Sequence, residues 1–128
     1  MTATLVIPGR LPGMNEAINA SRTNPYKGGN QKRGEQRKVL ACIHAQLHGV
    51  RFTKPVYMAY TWCVKDKRRD KDNISGYGRK IIQDALVEAG VLKNDGWGNI
   101  ARFSDNFSVD AENPRIIVEI TDEMEETG

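Results

Sequence analysis

Apolar residues recur along the chain in two periods, every second residue in some stretches and every third or fourth in others. Thr4-Leu5-Val6-Ile7 is short and largely β-branched and is stopped by Pro8-Gly9, which predicts a first strand. Residues 8–32 break both periods with Pro8, Pro12, Pro25, Gly28, Gly29 and several asparagines. They predict a long loop carrying Arg10, Arg22, Lys27 and Lys32 beside Tyr26, and loops of that length in small domains are usually functional or mobile. Val39, Leu40, Ile43 and Leu47 form the stripe of an amphipathic helix over 34–48, closed by Gly49.

Residues 55–65 place Val56, Met58, Tyr60, Trp62 and Val64 on one strand face. The other face, Tyr57, Ala59, Thr61 and Cys63, is also fairly apolar, which predicts a central strand. A second helix is expected from about Gly78 to Ala89, with Ile81, Ala85, Leu86 and Ala89 inward and Gly90 as its stop. Phe103 and Phe107 mark a further strand, and Ile116, Val118 and Ile120 alternate in a last one, followed by a short acidic tail over 122–128. This order predicts a small α+β domain spanning 1–128: one mixed β-sheet with two main helices packed on it.

Composition narrows the class. The 128 residues are 39% hydrophobic and 27% charged, a globular balance, with no apolar run near the ~20 residues of a membrane span and no signal-peptide h-region. Two cysteines, Cys42 and Cys63, make neither a zinc finger nor a disulfide framework. The expectation is a cytoplasmic protein that does not engage membranes. The net charge of +3 conceals an asymmetry: residues 1–80 hold 16 Lys+Arg against 5 Asp+Glu, and residues 81–128 hold 3 against 11. A basic half attracts polyanions, nucleic acid above all, although the two halves can also neutralise each other within the fold.

Candidate chemistry concentrates in Lys67-Arg68-Arg69-Asp70-Lys71-Asp72-Asn73. On an extended chain Asp70 and Asp72 project from one face, and two like charges held that close favour a cation between them. Mg²⁺ takes such oxygen ligands, and Asp95, in the loop after Gly90, is a third candidate. The competing assignment makes Asp70 and Asp72 turn residues, with Asp72 or Asn73 capping the next helix. Lys67, Arg68, Arg69 and Lys71 are placed to hold a DNA backbone beside the acids, or form a solvated turn.

The ordered set Asp70-Lys71-Asp72-Asn73, Lys80-Ile81-Ile82-Gln83-Asp84-Ala85-Leu86 and Gly90-Val91-Leu92-Lys93-Asn94-Asp95 resembles the RusA family of Holliday-junction resolvases, phage and prophage branch. The opening Ile7-Pro8-Gly9-Arg10-Leu11-Pro12-Gly13-Met14-Asn15-Glu16 is similar to that branch too. The resemblance implies a RusA-like fold and a homodimeric, Mg²⁺-dependent endodeoxyribonuclease that nicks four-way junctions symmetrically, with Mn²⁺ as a substitute metal. It implies Asp70, Asp72 and Asp95 as metal-binding catalytic aspartates and Lys80 as the catalytic cation. Arg79, Arg22, Lys27 and Lys32 join Lys67, Arg68, Arg69 and Lys71 as candidate DNA-binding residues. The gap from Asp72 to Lys80 is about one turn longer than in the best-known member and contains Gly76 and Gly78. A helical insert restores the phase to within about 40°; a loop leaves Arg79 or Lys80 as the functional cation. The family's terminal Asp-Asp pair is Asn94-Asp95 here.

Other signals carry less. His44 and His48 stand at i, i+4 without the glutamate of a zinc protease, and Gly76-x-Gly78 lacks the third glycine of a dinucleotide motif. Trp62 reads as core, Trp97 as either packing or a residue beside Asp95, and Asp84 as an i, i+4 partner of Lys80. Two rival functions remain open: a branched-DNA-binding protein that does not cleave, and a protein-interaction module using its basic and acidic halves.

Overall fold

Alternation decides the sheet. The computed structural model of the chain describes residues 1–13, 18, 19, 22 and 25–123, and the backbone alone of residues 25–31. Strands β1 (Thr2–Pro8), β2 (Val56–Val64), β3 (Ile100–Val109) and β4 (Arg115–Thr121) form one sheet in the order β1-β4-β2-β3. β4 runs antiparallel to both β1 and β2, pairing Leu5 with Val118 and Tyr60 with Val118, while β2 and β3 are parallel, with Trp62 opposite Phe107. The sheet is mixed, and β2 lies inside it as its two apolar faces required.

Helices α1 (Pro25–Gln46) and α2 (Lys71–Glu88) pack on the sheet face that carries Leu5, Ile7, Met58, Tyr60, Trp62, Val118 and Ile120. Val39, Ile43 and Leu47 from the α1 segment and Ile74, Ile81, Ile82, Ala85 and Leu86 from α2 complete that core. This is the small α+β domain expected, one mixed four-stranded sheet with two helices. No described helix is long and apolar enough to cross a membrane. Gln46, at the end of α1, exchanges two hydrogen bonds with the Val6 backbone, 2.7 and 2.8 Å, and so occupies part of the open edge of β1.

Two boundaries differ from expectation. α1 is described from Pro25, so the last eight residues of the predicted 8–32 loop are helical, and Ile18, Asn19 and Arg22 within that loop are helical as well. α2 begins at Lys71 and runs unbroken through Gly76 and Gly78. Intrinsic propensity argued against glycine there, and packing overrides it. A Cβ built on Gly78 would lie 2.8 Å from the Trp62 ring, so the bare backbone lets the helix seat directly on the indole. At the other end Gly90 (φ 79°) closes a Schellman motif: its N–H reaches Val87 O at 3.0 Å and the Val91 N–H reaches Leu86 O at 3.0 Å.

The fit of Gly78 yields a paired expectation. Gly78→Ala gains about 1 kcal/mol in helix propensity but must push back the indole, for a net loss of roughly 1–2 kcal/mol. Gly34→Ala, on α1 with nothing within 4 Å of its Cβ, should gain up to about 1 kcal/mol. Urea unfolding of both variants checks the opposite signs.

Candidate functional site

The segment that carries the acids leaves β2 at Val64, crosses residues 65–69 without regular structure and enters α2 at Lys71. Asp70 is the N-cap of α2, with extended backbone (φ −66°, ψ 149°) and no side-chain capping bond. Asp72 lies in the first helical turn. The extended-chain argument for a shared face therefore stops at Asp70, because helical residues two apart point about 200° from each other. Both side chains nevertheless belong to the same helix end. Both are exposed, and neither has a hydrogen-bond or ion-pair partner among the described residues.

Their neighbours are cationic. Lys67, Arg68 and Lys71 are exposed and Arg69 is half-buried, its guanidinium donating to Leu11 O at 3.4 Å. Arg68 turns to Asp66, at 3.7 Å through the side chains and 3.0 Å from its backbone N–H. The Lys71 ammonium sits 5.5 Å from the centroid of Phe107.

Lys80 belongs to a second group. Its ammonium is 3.1 Å from Asp84, one turn on, and 3.3 Å from Asp95, which the Schellman turn folds back along α2. The hydrogen bond and charge of Asp84, and then those of Asp95, raise Lys80 above the usual lysine range, so it is a fixed positive charge at neutral pH. The insert being helical, Lys80 stands on the exposed side of α2, about 12 Å along its axis from Asp72. That distance is why Asp95 does not join the pair at the helix start. Among the described residues no three His, Cys, Asp or Glu side chains gather as metal ligands.

The metal that the sequence resemblance implies can be tested against these donors. Asp70 and Asp72 offer exposed, uncompensated hard oxygens, and Mg²⁺ is commonly held by one or two carboxylates while keeping several waters. Either carboxylate is open to such an ion with waters completing its shell, while the turn between them does not of itself bring both onto one face. The set of three aspartates, with Asp95 bound to Lys80 instead, does not assemble.

The remaining sequence candidates divide. Arg79 is only half-exposed and is taken up by Asp105, 3.4 Å away, and by the Phe103 ring at 4.5 Å, which leaves Lys80 as the cation beside Asp95. Lys32 reaches Asp84 at 3.6 Å, and Arg22 is exposed. The side chain of Lys27 and the acidic residues beyond Glu123 lie outside the described residues, while Asp122 and Glu123 hold the N-terminal ammonium at 2.7 and 2.9 Å. Trp97 is 99% exposed, so the packing alternative does not hold for it; it lines a cleft with Asp95, Gln83, Arg102 and Phe103. Trp62 is core, stacked on Tyr60 at 5.6 Å.

Asp105 was not singled out in the sequence. On β3 it shares the helix-facing side with the exposed Phe103 and the half-buried Phe107, and an acid alternating with aromatics on that side is the signal that it needs partners. It accepts the Trp62 indole N–H at 3.0 Å and pairs with Arg79, so it ties β2, β3 and α2 together. Gln83 adds a bond to the buried Tyr60 hydroxyl at 3.1 Å, and burial holds that phenol far above its usual range. Asp105→Ala leaves a buried indole N–H and a half-buried guanidinium without partners and should cost about 2 kcal/mol. Urea unfolding checks this, and a loss below about 0.5 kcal/mol would contradict it.

The sequence matches no protein-family model and no curated protein, so the chemistry of the site rests on these residues.

Proposed function

We propose that the chain is a Mg²⁺-dependent, structure-selective endodeoxyribonuclease of the RusA type, acting in the cytoplasm as a homodimer on four-way or otherwise branched DNA. One observation carries the reading. Asp70 and Asp72 stand exposed with no cation partner among the described residues, although Lys67, Arg68, Arg69 and Lys71 surround them in sequence. Paired acids left uncompensated inside a basic rim suit a hard cation shared with a polyanion, and the basic first 80 residues supply the long-range attraction for one.

In this reading Asp70 and Asp72 hold the ion, which when bound makes a water nucleophilic near neutral pH and offsets charge on the attacked phosphate. The exposed lysines and arginines of 67–71 bind the flanking phosphates and set the backbone against the acids. Lys80, held as a cation by Asp84 and Asp95 about 12 Å along α2 from Asp72, binds a neighbouring phosphate of the same backbone, exchanging its contact with Asp95 for one with DNA. Trp97, fully exposed between Gly96 and Gly98, offers an indole for stacking on an unpaired base. A twofold dimer suits a junction of twofold symmetry, because paired nicks need paired sites.

A second reading, a branched-DNA-binding protein that does not cleave, is favoured by the separation of Asp95 from the pair. Cleavage of a labelled four-way junction in millimolar Mg²⁺ separates the two. Wild type is expected to produce symmetric nicks with 5′-phosphate and 3′-hydroxyl ends, and Asp72→Asn to lose about 100-fold or more in rate while keeping its junction affinity. Tight binding without nicks by either protein would establish the second reading, and the absence of salt-dependent DNA binding would point instead to a protein-interaction module.

A further inference from the structure

We propose that the cleft between the first turn of α2 and the end of β3 takes a single unstacked nucleotide, its base against Phe107 and its phosphate on Lys67 and Lys71. The inference extends the nuclease reading by naming what part of a branched DNA the site engages.

The cleft has a volume of about 620 Å³, within the range of small-molecule sites, roughly 300–1,000 Å³. Val64, Ile74, Phe107 and Val109 make its apolar wall, and Lys67 and Lys71 stand on its rim without ion-pair partners among the described residues. Asp70 borders it, while Asp66, the other acid there, is turned to Arg68. Neither half of this lining suits a simpler ligand. An inorganic anion gains nothing from an aromatic wall, and an apolar molecule gains nothing from two unpaired ammonium groups. A nucleotide uses both.

The resting arrangement is easily exchanged. The Lys71 ammonium lies 5.5 Å from the Phe107 centroid, near the outer limit for a cation–π contact, and is exposed. A base taking that ring face releases the ammonium to the phosphate beside it. β3 is an edge strand, so its outer backbone groups are open beside the cleft to the edge of a base. One aromatic face accepts one ring and excludes a stacked base pair, which selects nucleotides that are already unpaired. Branch points supply those at the least unstacking cost. The position of the cleft beside Asp70 would set the register of the backbone across the acids.

The test uses the full chain in EDTA, with no cleavage, and follows the anisotropy of a fluorescein-labelled oligothymidylate of about 12 nucleotides and of a duplex of equal length. Phe107→Leu keeps an apolar side chain on the core and removes the ring. It should weaken oligothymidylate binding about five- to tenfold and duplex binding less than twofold. Lys67→Gln with Lys71→Gln should weaken both and flatten the salt dependence by about two charges. Methyl resonances of Val64 and Val109 should move on addition of a 5′-phosphorylated thymidine dinucleotide and stay in place with inorganic phosphate, a readout that needs no variant to fold. An equal effect of Phe107→Leu on both DNAs, no effect on oligothymidylate, or methyl shifts with phosphate alone would overturn the inference. A protein that shows the selectivity yet never nicks a junction overturns the nuclease reading and leaves the cleft assignment standing; junction cleavage without the selectivity does the reverse.

Discussion

The seating of α2 on Trp62 is the contact on which the rest of this structure depends. A glycine over an indole allows the helix to approach closer than any side chain would permit, and Asp105 holds the indole from the far side by its N–H. With Gly78 facing the sheet, the 100° advance per residue fixes every other position on α2. Ile74, Ile81, Ile82 and Ala85 fall inward, Arg79 and Gln83 reach the polar groups over β2 and β3, and Lys80 is turned to solvent and Asp95. The same rotation leaves Asp70 and Asp72 at the open end of the helix, beside the cleft at Phe107.

The charge asymmetry of the sequence resolves into two behaviours. Along the flanks of α2 the basic and acidic halves compensate each other: Lys32 and Lys80 meet Asp84, Lys80 meets Asp95, and Arg79 meets Asp105. Each exposed pair contributes little to stability, but together they hold the loop of Asp95 and strand β3 against one helix. At the start of α2 the compensation stops. Arg68 pairs with Asp66, and Lys67, Lys71, Asp70 and Asp72 keep their charges open to solvent. Other exposed charges are scattered singly over the surface, whereas here two acids and two lysines stand open within six residues.

Much of the fold could be read from periodicity, because strands with one buried face announce it. Ile116, Val118 and Ile120 are buried as their alternation required, and β2 is interior as its two apolar faces required. The helix starts were less legible for a physical reason. Gly76 and Gly78 weaken a helix in isolation, and only the partner Trp62, sixteen residues earlier on another element, makes glycine the fitting residue at 78. At the site, the contact of Lys80 with Asp84 followed from i, i+4 spacing. Its contact with Asp95 depends on where the Gly90 turn sends the chain, and the 12 Å or so along the axis that separates Asp72 from Lys80 depends on the insert being helical. Asp105 was hidden because its partners come from two different elements.

We propose that Asp70 and Asp72 hold a divalent metal at the start of α2. Mn²⁺, a paramagnetic stand-in for Mg²⁺, reports its position directly by broadening nearby amide resonances in the free protein. Broadening is expected to centre on residues 70–73 at low Mn²⁺, to be lost in Asp70→Asn and Asp72→Asn and to be reversed by excess Mg²⁺. Broadening centred instead on Asp110 or on Asp122 and Glu123, or unchanged in the two variants, would contradict it.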